Sequence, residues 1–434
     1  MFIKVNIRRV VTVIIVQFIV IVLLAQPGVP FTKWSGDGNV LYQVEKGEIV
    51  KVELPSLSKT TFIGKQRLTT KDGKQVVPRS FQLSADGSKA LIYTNAKIVW
   101  RYPTRGDYWL LTLSNGDLKQ LGKGRPESSL QFAKFSPDGS KVAYVSEHNG
   151  YTEDLASGDI KKITSDNNTK KLINGTFDWV YEEEFFCRDG FRWAPDSKTI
   201  AYWQIDANQI RDYYMLNTTD SVYSRVIPVE YPKVGDPPSP ARIGVVDINT
   251  AQTVWMDVPG DPSQHYIMRM EWSSPREVII QQLNRKQNES RVILCNTTTG
   301  TTKTIYSETD EAWVATLNEW RNDVTGWDWI ASGKEFVWFS EKDGWRHLYR
   351  ISRDGKEIKI TSGNYDVIDL LNIDEKSGYV YFYASPVNAT QQFLYKTKLD
   401  GKGSLQRVSP AGEEGTHKYE ISPNGKFARH SFSN

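Results

Sequence analysis

Phe135-Ser136-Pro137-Asp138-Gly139, followed directly by Ser140 and then Lys141-Val142-Ala143-Tyr144-Val145, decides how the rest of the chain is read. Asp-Gly supplies the positive φ that a tight hairpin turn needs. The strand after it is read as alternating, with one face buried. The same unit recurs: a large apolar residue, Ser or Ala, a polar turn, then a strand. Clear copies are Trp34-Ser35-Gly36-Asp37-Gly38, Leu83-Ser84-Ala85-Asp86-Gly87 and Ile421-Ser422-Pro423-Asn424-Gly425. Weaker ones are Trp193-Ala194-Pro195-Asp196, Trp272-Ser273-Ser274-Pro275 and Trp329-Ile330-Ala331-Ser332-Gly333. The intervals between starts are 49, 52, 58, 79, 57 and 92 residues, and Ile373-Asp374-Glu375, as a decayed copy, divides the last into 44 and 48.

A second turn often closes the unit, as at Ser114-Asn115-Gly116-Asp117 and Arg353-Asp354-Gly355-Lys356. Four strands in roughly 40–50 residues is the pattern of a propeller blade. The expected fold is all-β: a β-propeller of seven or eight blades, eight favoured, each a four-stranded antiparallel sheet. Tandem β-sandwiches would need boundary linkers, and none breaks the period. The last copy stops at Ser431-Phe432-Ser433-Asn434. Either the region near Val29 pairs with this tail to complete a blade, or the natural chain continues.

Composition narrows the function classes. Of 434 residues, 39% are hydrophobic and 24% charged, which rules out a disordered chain. With 54 basic and 51 acidic residues the net charge is only +3, so no nucleic-acid partner is expected. Lys4, Arg8 and Arg9 precede a 15-residue apolar stretch at 10–24. Residues 1–26 therefore read as a signal peptide or membrane anchor, and 27–434 as the propeller. The protein is expected to be secreted or periplasmic, anchored to a membrane if the segment is retained. Cys187 and Cys295 are expected to be buried free thiols. No Cys/His spacing fits a zinc site, so neither a metal nor a cofactor is expected.

The period breaks at Phe177-Asp178-Trp179-Val180-Tyr181-Glu182-Glu183-Glu184-Phe185-Phe186, where no strand alternation fits. Asp178 can cap a short helix, and the glutamates favour its first turns. Carboxylates wedged between large hydrophobes suit binding a primary ammonium, which has three donors to satisfy. A merely acidic helix is the other reading. A second insertion, from Arg211 to Pro240, is too long for a blade loop and reads as a hairpin arm for a partner. A catalytic scan finds no Gly-x-Ser-x-Gly elbow, no His-Glu-x-x-His and no phosphate loop. His148, His265, His347, His417 and His430 are read as structural.

The glutamate stretch resembles the glutamate motif in the propeller of the dipeptidyl peptidase IV family. Tyr231-Pro232-Lys233-Val234-Gly235, Gln282-Leu283-Asn284-Arg285-Lys286-Gln287-Asn288 and Glu341-Lys342-Asp343-Gly344-Trp345-Arg346-His347-Leu348-Tyr349 carry the same resemblance. It runs from about Val29 to Asn434. It implies an eight-bladed propeller capping an α/β-hydrolase domain, in serine exopeptidases that release X-Pro and X-Ala dipeptides. By motif position Glu183 and Glu184, with Glu182 before them, would grip the ammonium of a peptide N-terminus. Arg101 in Val99-Trp100-Arg101-Tyr102 matches the arginine that holds the substrate carbonyl oxygen, with Arg105 the alternative. The resemblance also implies a homodimer through the hydrolase domain and a propeller arm, here the insertion around Tyr213 to Tyr231.

Two departures stand against the family pattern. No catalytic residue can be named, because the triad would lie in the hydrolase domain, so this chain alone is expected not to hydrolyse peptides. The third blade, after Ser146-Glu147-His148-Asn149-Gly150, is a few residues short. The leading expectation is a substrate-gating, N-terminus-anchoring propeller of a dipeptidyl peptidase. The alternative is a non-catalytic extracytoplasmic propeller that binds peptides, amines or a protein partner.

Overall fold

The computed structural model describes residues 31–165, 169, 171–315 and 327–434. The expected signal peptide or membrane anchor, at 1–26, lies outside the described residues. The repeat turn forms as its chemistry dictates. Ser136 Oγ donates to Asp138 Oδ1 at 2.6 Å and accepts from the Lys141 amide at 3.0 Å, while Gly139 takes φ +68°. Ser35 with Asp37, Ser84 with Asp86 and Ser422 with Asn424 repeat this at 2.6, 2.6 and 2.8 Å. At Trp193 the serine is replaced by Ala194, and only the Asp196 to Lys198 amide contact remains, at 3.0 Å.

Each turn joins the first two strands of an antiparallel sheet, and the sheets follow one another along the chain. The first holds Thr32–Trp34, Val40–Glu45, Glu48–Glu53 and Ser58–Ile63, in that order. The second runs through Ser80–Leu83, Lys89–Val99, Tyr102–Thr112 and Leu118–Gln120. Leu130–Phe135, Lys141–Ser146, Asn149–Asp154 and Ile160–Lys162 make the third, joined to the second by the pairs Arg105 with Gln131 and Gly106 with Leu130. In the fourth, Thr199–Asp206 pairs with Leu172–Asn174 and Phe191–Trp193 on one edge and with Ala241–Asp247 on the other. Three further four-stranded sheets begin at His265, Trp329 and Val367, and a final hairpin pairs Thr416–Ile421 with Ala428–Ser433.

The third-blade strand is buried on both faces, not one. Val142 and Tyr144 pack with Leu91 and Leu110 of the second sheet, while Ala143 and Val145 pack with Phe191 and Ile200 of the fourth. Leu91 likewise faces the third sheet, and its neighbours Ala90 and Ile92 face the first. Each such sheet sits between two others, so alternation here distributes side chains between two apolar interfaces rather than between core and water. The expected short third blade is complete. Its brevity is the two-residue turn Glu147-His148, with φ +49° and +61°, between Ser146 and Asn149.

The described ends of the chain meet. Thr32 Oγ1 donates to Glu420 at 3.1 Å, and Asn424 Nδ2 donates to the Asp37 carbonyl at 2.7 Å. Gly38 fits there because a Cβ would stand 2.6 Å from the Asn424 side chain. Val29 lies outside the described residues; among those described, Thr32–Trp34 pairs with Val40–Glu45 and the final hairpin pairs with itself. Radial sheets packed face to face around a closed circuit make a β-propeller. The predicted arm is also present, as the ribbon Asp212–Asn217 with Arg225–Glu230 leading out of the fourth sheet. Cys187 and Cys295 are free and buried.

Candidate functional site

The segment that broke the repeat folds as α1 (Trp179–Glu184), between the strands Leu172–Asn174 and Phe191–Trp193. Asp178 caps it: its carboxylate accepts from the Tyr181 amide at 3.1 Å and from Ser239 Oγ at 2.7 Å. Burial pushes the Asp178 carboxyl above its ordinary range, and both hydrogen bonds oppose that. The flanking aromatics act as an anchor. Phe177, Tyr181 and Phe185 are buried against Trp203 and Tyr266, and the Tyr181 hydroxyl accepts from the Ile267 amide at 3.0 Å. A six-residue helix cannot hold itself in water, so these contacts fix its three glutamates in space.

The glutamates point three ways, as successive steps of about 100° require. Glu183 meets Arg101 in a bidentate pair, with Nε to Oε2 at 2.7 Å and Nη2 to Oε1 at 2.5 Å. Arg101 reaches it from the tip of a long hairpin in the second sheet, Lys89–Val99 and Tyr102–Thr112, closed by Trp100-Arg101 with Trp100 at φ +51°. The Arg188 guanidinium, just beyond α1, lies 3.6 Å over the Tyr102 ring and braces the same tip. Glu184 is exposed and borders a cavity of about 670 Å³ with Tyr231, Lys233, Tyr266 and Arg285. Glu182 is only 5% exposed and borders a second cavity, of about 260 Å³, on whose wall Trp100, His148 and Thr176 also lie. Burial is the main cause that raises its carboxyl to about 8; Asp178 and Glu183 add to this and Arg188 opposes it.

Of the three residues expected to bind substrate, the structure joins Glu183 to Arg101. Glu184 stands apart on the next cavity, with Trp179 bordering both. Arg105, the alternative, is exposed and borders the smaller cavity. The motifs at 231–235 and 282–288 bring Tyr231, Lys233 and Arg285 to the Glu184 cavity, a grouping no spacing in the sequence announces. Histidines 265 and 347 are buried and hydrogen-bonded, His265 to Gln282 and His347 to Thr361, each at 2.9 Å. His148 differs, because its turn places it on a cavity wall.

Residues 84–434 match the family described as the dipeptidyl peptidase IV (DPP IV) N-terminal region. The chain is 24% identical over 394 residues to inactive dipeptidyl peptidase 10 of Rattus norvegicus, across 88% of this chain and 48% of that protein. It is 26% identical over 385 residues to probable dipeptidyl-aminopeptidase B of Emericella nidulans, across 83% of this chain and 42% of the relative. It thus spans about half the length of the curated relatives it matches. Among solved structures it superposes on dipeptidyl peptidase 4 of Porphyromonas gingivalis with a TM-score of 0.83 at 24% identity, covering 93% of this chain and 56% of that one. At this identity the likeness bears on the fold.

Proposed function

Since this chain belongs to the family of dipeptidyl peptidase IV N-terminal regions, we propose that it anchors the free N-terminus of a peptide. In this reading Glu183 and Glu184 accept hydrogen bonds from the ammonium of the first residue, and Arg101 donates to that residue's carbonyl oxygen. The propeller then gates the way to an α/β-hydrolase domain, a serine peptidase that releases X-Pro and X-Ala dipeptides. One observation carries this: an arginine at the tip of a hairpin and a glutamate on α1, 82 residues apart, meet in a bidentate pair that stays open to solvent. Arg101 is 69% and Glu183 24% exposed, so a ligand can reach both charged groups.

The pairing also prepares the site. It holds the Glu183 side chain in one orientation, which lowers the ordering cost of binding. An N-acylated peptide would set a neutral amide against carboxylates and lose their charge-assisted bonds. The test is calorimetric titration of the chain with Gly-Pro-Ala amide and its N-acetyl form. Binding of the free amine, abolished by acetylation and weakened at least about tenfold by Glu183→Gln, is the expected result. Equal binding of both forms would refute it.

A non-catalytic role in holding peptides or amines is the second reading, favoured by one relative being named inactive. Both readings need the same anchor. The proposal extends to location and assembly. The basic and apolar segment at 1–26 directs the protein out of the cytoplasm, and the arm from Tyr213 to Tyr231 pairs two copies.

A further inference from the structure

The larger cavity, on which Glu184 lies, carries acid and base that do not meet. Glu184 and Lys233 on its wall are exposed, and Arg285 is half-buried. None of the three enters an ion pair among the described residues. The fourth charged group on the wall, Asp236, is already engaged by Arg211 and by the Lys233 amide, each at 3.1 Å. Arg285 Nη2 donates to the Asp236 carbonyl at 3.5 Å, the outer limit of a hydrogen bond, and its guanidinium stands 5.8 Å from the centre of the Tyr266 ring. Burial raises the Tyr266 hydroxyl above its ordinary range; Arg285 opposes this and Glu184 adds to it, so both charges lie near that one ring.

Opposite charges held apart on one wall are the complement of a ligand that carries both signs. Glu184 disfavours a plain anion there, and Lys233 with Arg285 disfavours a plain cation. A free peptide has both ends: an ammonium with three donors, and a carboxylate that accepts the fork of an arginine. An extended residue spans at most about 3.6 Å, so the charged ends of a dipeptide stand roughly 6 Å apart, against about 3 Å in a single amino acid. A wall whose acid and base do not reach each other suits the longer ligand. The cavity, about 670 Å³, is of the size that encloses a small molecule. Trp179 and Tyr231, with ring centres 4.2 Å apart, also line it and give a proline ring or side chain an aromatic surface to lie along.

We propose that this cavity is a site for a free dipeptide, with Glu184 on its ammonium and Arg285 and Lys233 on its carboxylate, so that the chain retains the product of a dipeptide-releasing reaction. For Glu184 the assignment rests on the anchoring reading above; the carboxylate site is additional to it. It is tested by calorimetric titration of the whole chain with Gly-Pro and Gly-Pro amide, which differ only in the terminal carboxylate. Gly-Pro is expected to bind about tenfold more tightly, a preference falling to about twofold in Arg285→Gln and in Lys233→Met. Lys233 is exposed, so the second variant keeps the test alive if the first does not fold. N-acetyl-Gly-Pro, which keeps the carboxylate and loses the ammonium, is expected to bind at least about tenfold more weakly than Gly-Pro. Equal affinities for Gly-Pro and its amide, or a preference that survives both substitutions, overturn the carboxylate site and leave the anchor standing. Equal binding of the acetylated form makes the cavity a plain anion site and overturns the dipeptide assignment. If neither Gly-Pro nor its amide binds, anchor and cavity fall together.

Discussion

Three adjacent glutamates of one chemistry take three different tasks because the helix turns each to a different neighbour. Glu183 is paired at the surface, so its bond with Arg101 contributes little to stability. Arg101→Met should therefore leave the melting temperature within about a degree of the parent while lowering affinity for Gly-Pro-Ala amide about tenfold. A large loss of thermal stability would mean that the pair is structural instead. Glu182 behaves oppositely. Its carboxyl sits at about 8 in the folded chain against an ordinary 4.5, so between these values the folded state holds a proton that the unfolded state has lost. The stability from this group is present at low pH and is lost as pH rises through about 8. Glu182→Gln, which does not titrate, should show a flatter melting-temperature profile from about pH 5 to about pH 9 and gain on the parent at the alkaline end. Parallel profiles in calorimetry would exclude a raised Glu182.

At the scale of elements, the short helix exists because its cap and its aromatics are satisfied by other sheets. Asp178 links the Tyr181 amide to Ser239, so Asp178→Ala removes a cap and strands a buried hydroxyl together. The expected cost is about 2 kcal/mol in denaturant unfolding, with Asp178→Asn recovering much of it. A cost near zero would show that aromatic packing alone sets the helix. The aromatic and acidic pattern made this helix and its cap legible in the sequence. The hairpin that carries Arg101 was legible only as the four residues around it. Its reach depends on two strands of 11 residues each, and strand length is decided by pairing, which no local signal encodes.

For the whole molecule, the ring and the arm make separate demands. Contacts of Thr32 with Glu420 and of Asn424 with Asp37 join positions nearly the full chain apart, so closure is a global property. The arm instead stands free, with Tyr214 at 69% and Tyr223 at 86% exposure and Met215 and Leu216 beside them. An apolar ribbon so exposed calls for a cover, which the proposed pairing of two copies would supply. Sedimentation velocity should find a dimer that Tyr214→Glu with Leu216→Glu shifts to monomer. A monomer at every concentration would withdraw the arm from that role.

By itself the sequence determined the turn chemistry, the repeat, the class of sheet and the one segment that could not be a strand. Those follow from local rules, since Asp-Gly turns and β-forming runs act within a few residues. Only the tertiary structure decided that the blade strands are buried on both faces, that Arg101 and not Arg105 meets Glu183, and that Glu182 is buried while Glu184 is exposed. Each of those depends on which sheet lies beside which. Such contacts link residues about 50 to several hundred positions apart and are set by packing, not by any property of the residues taken singly.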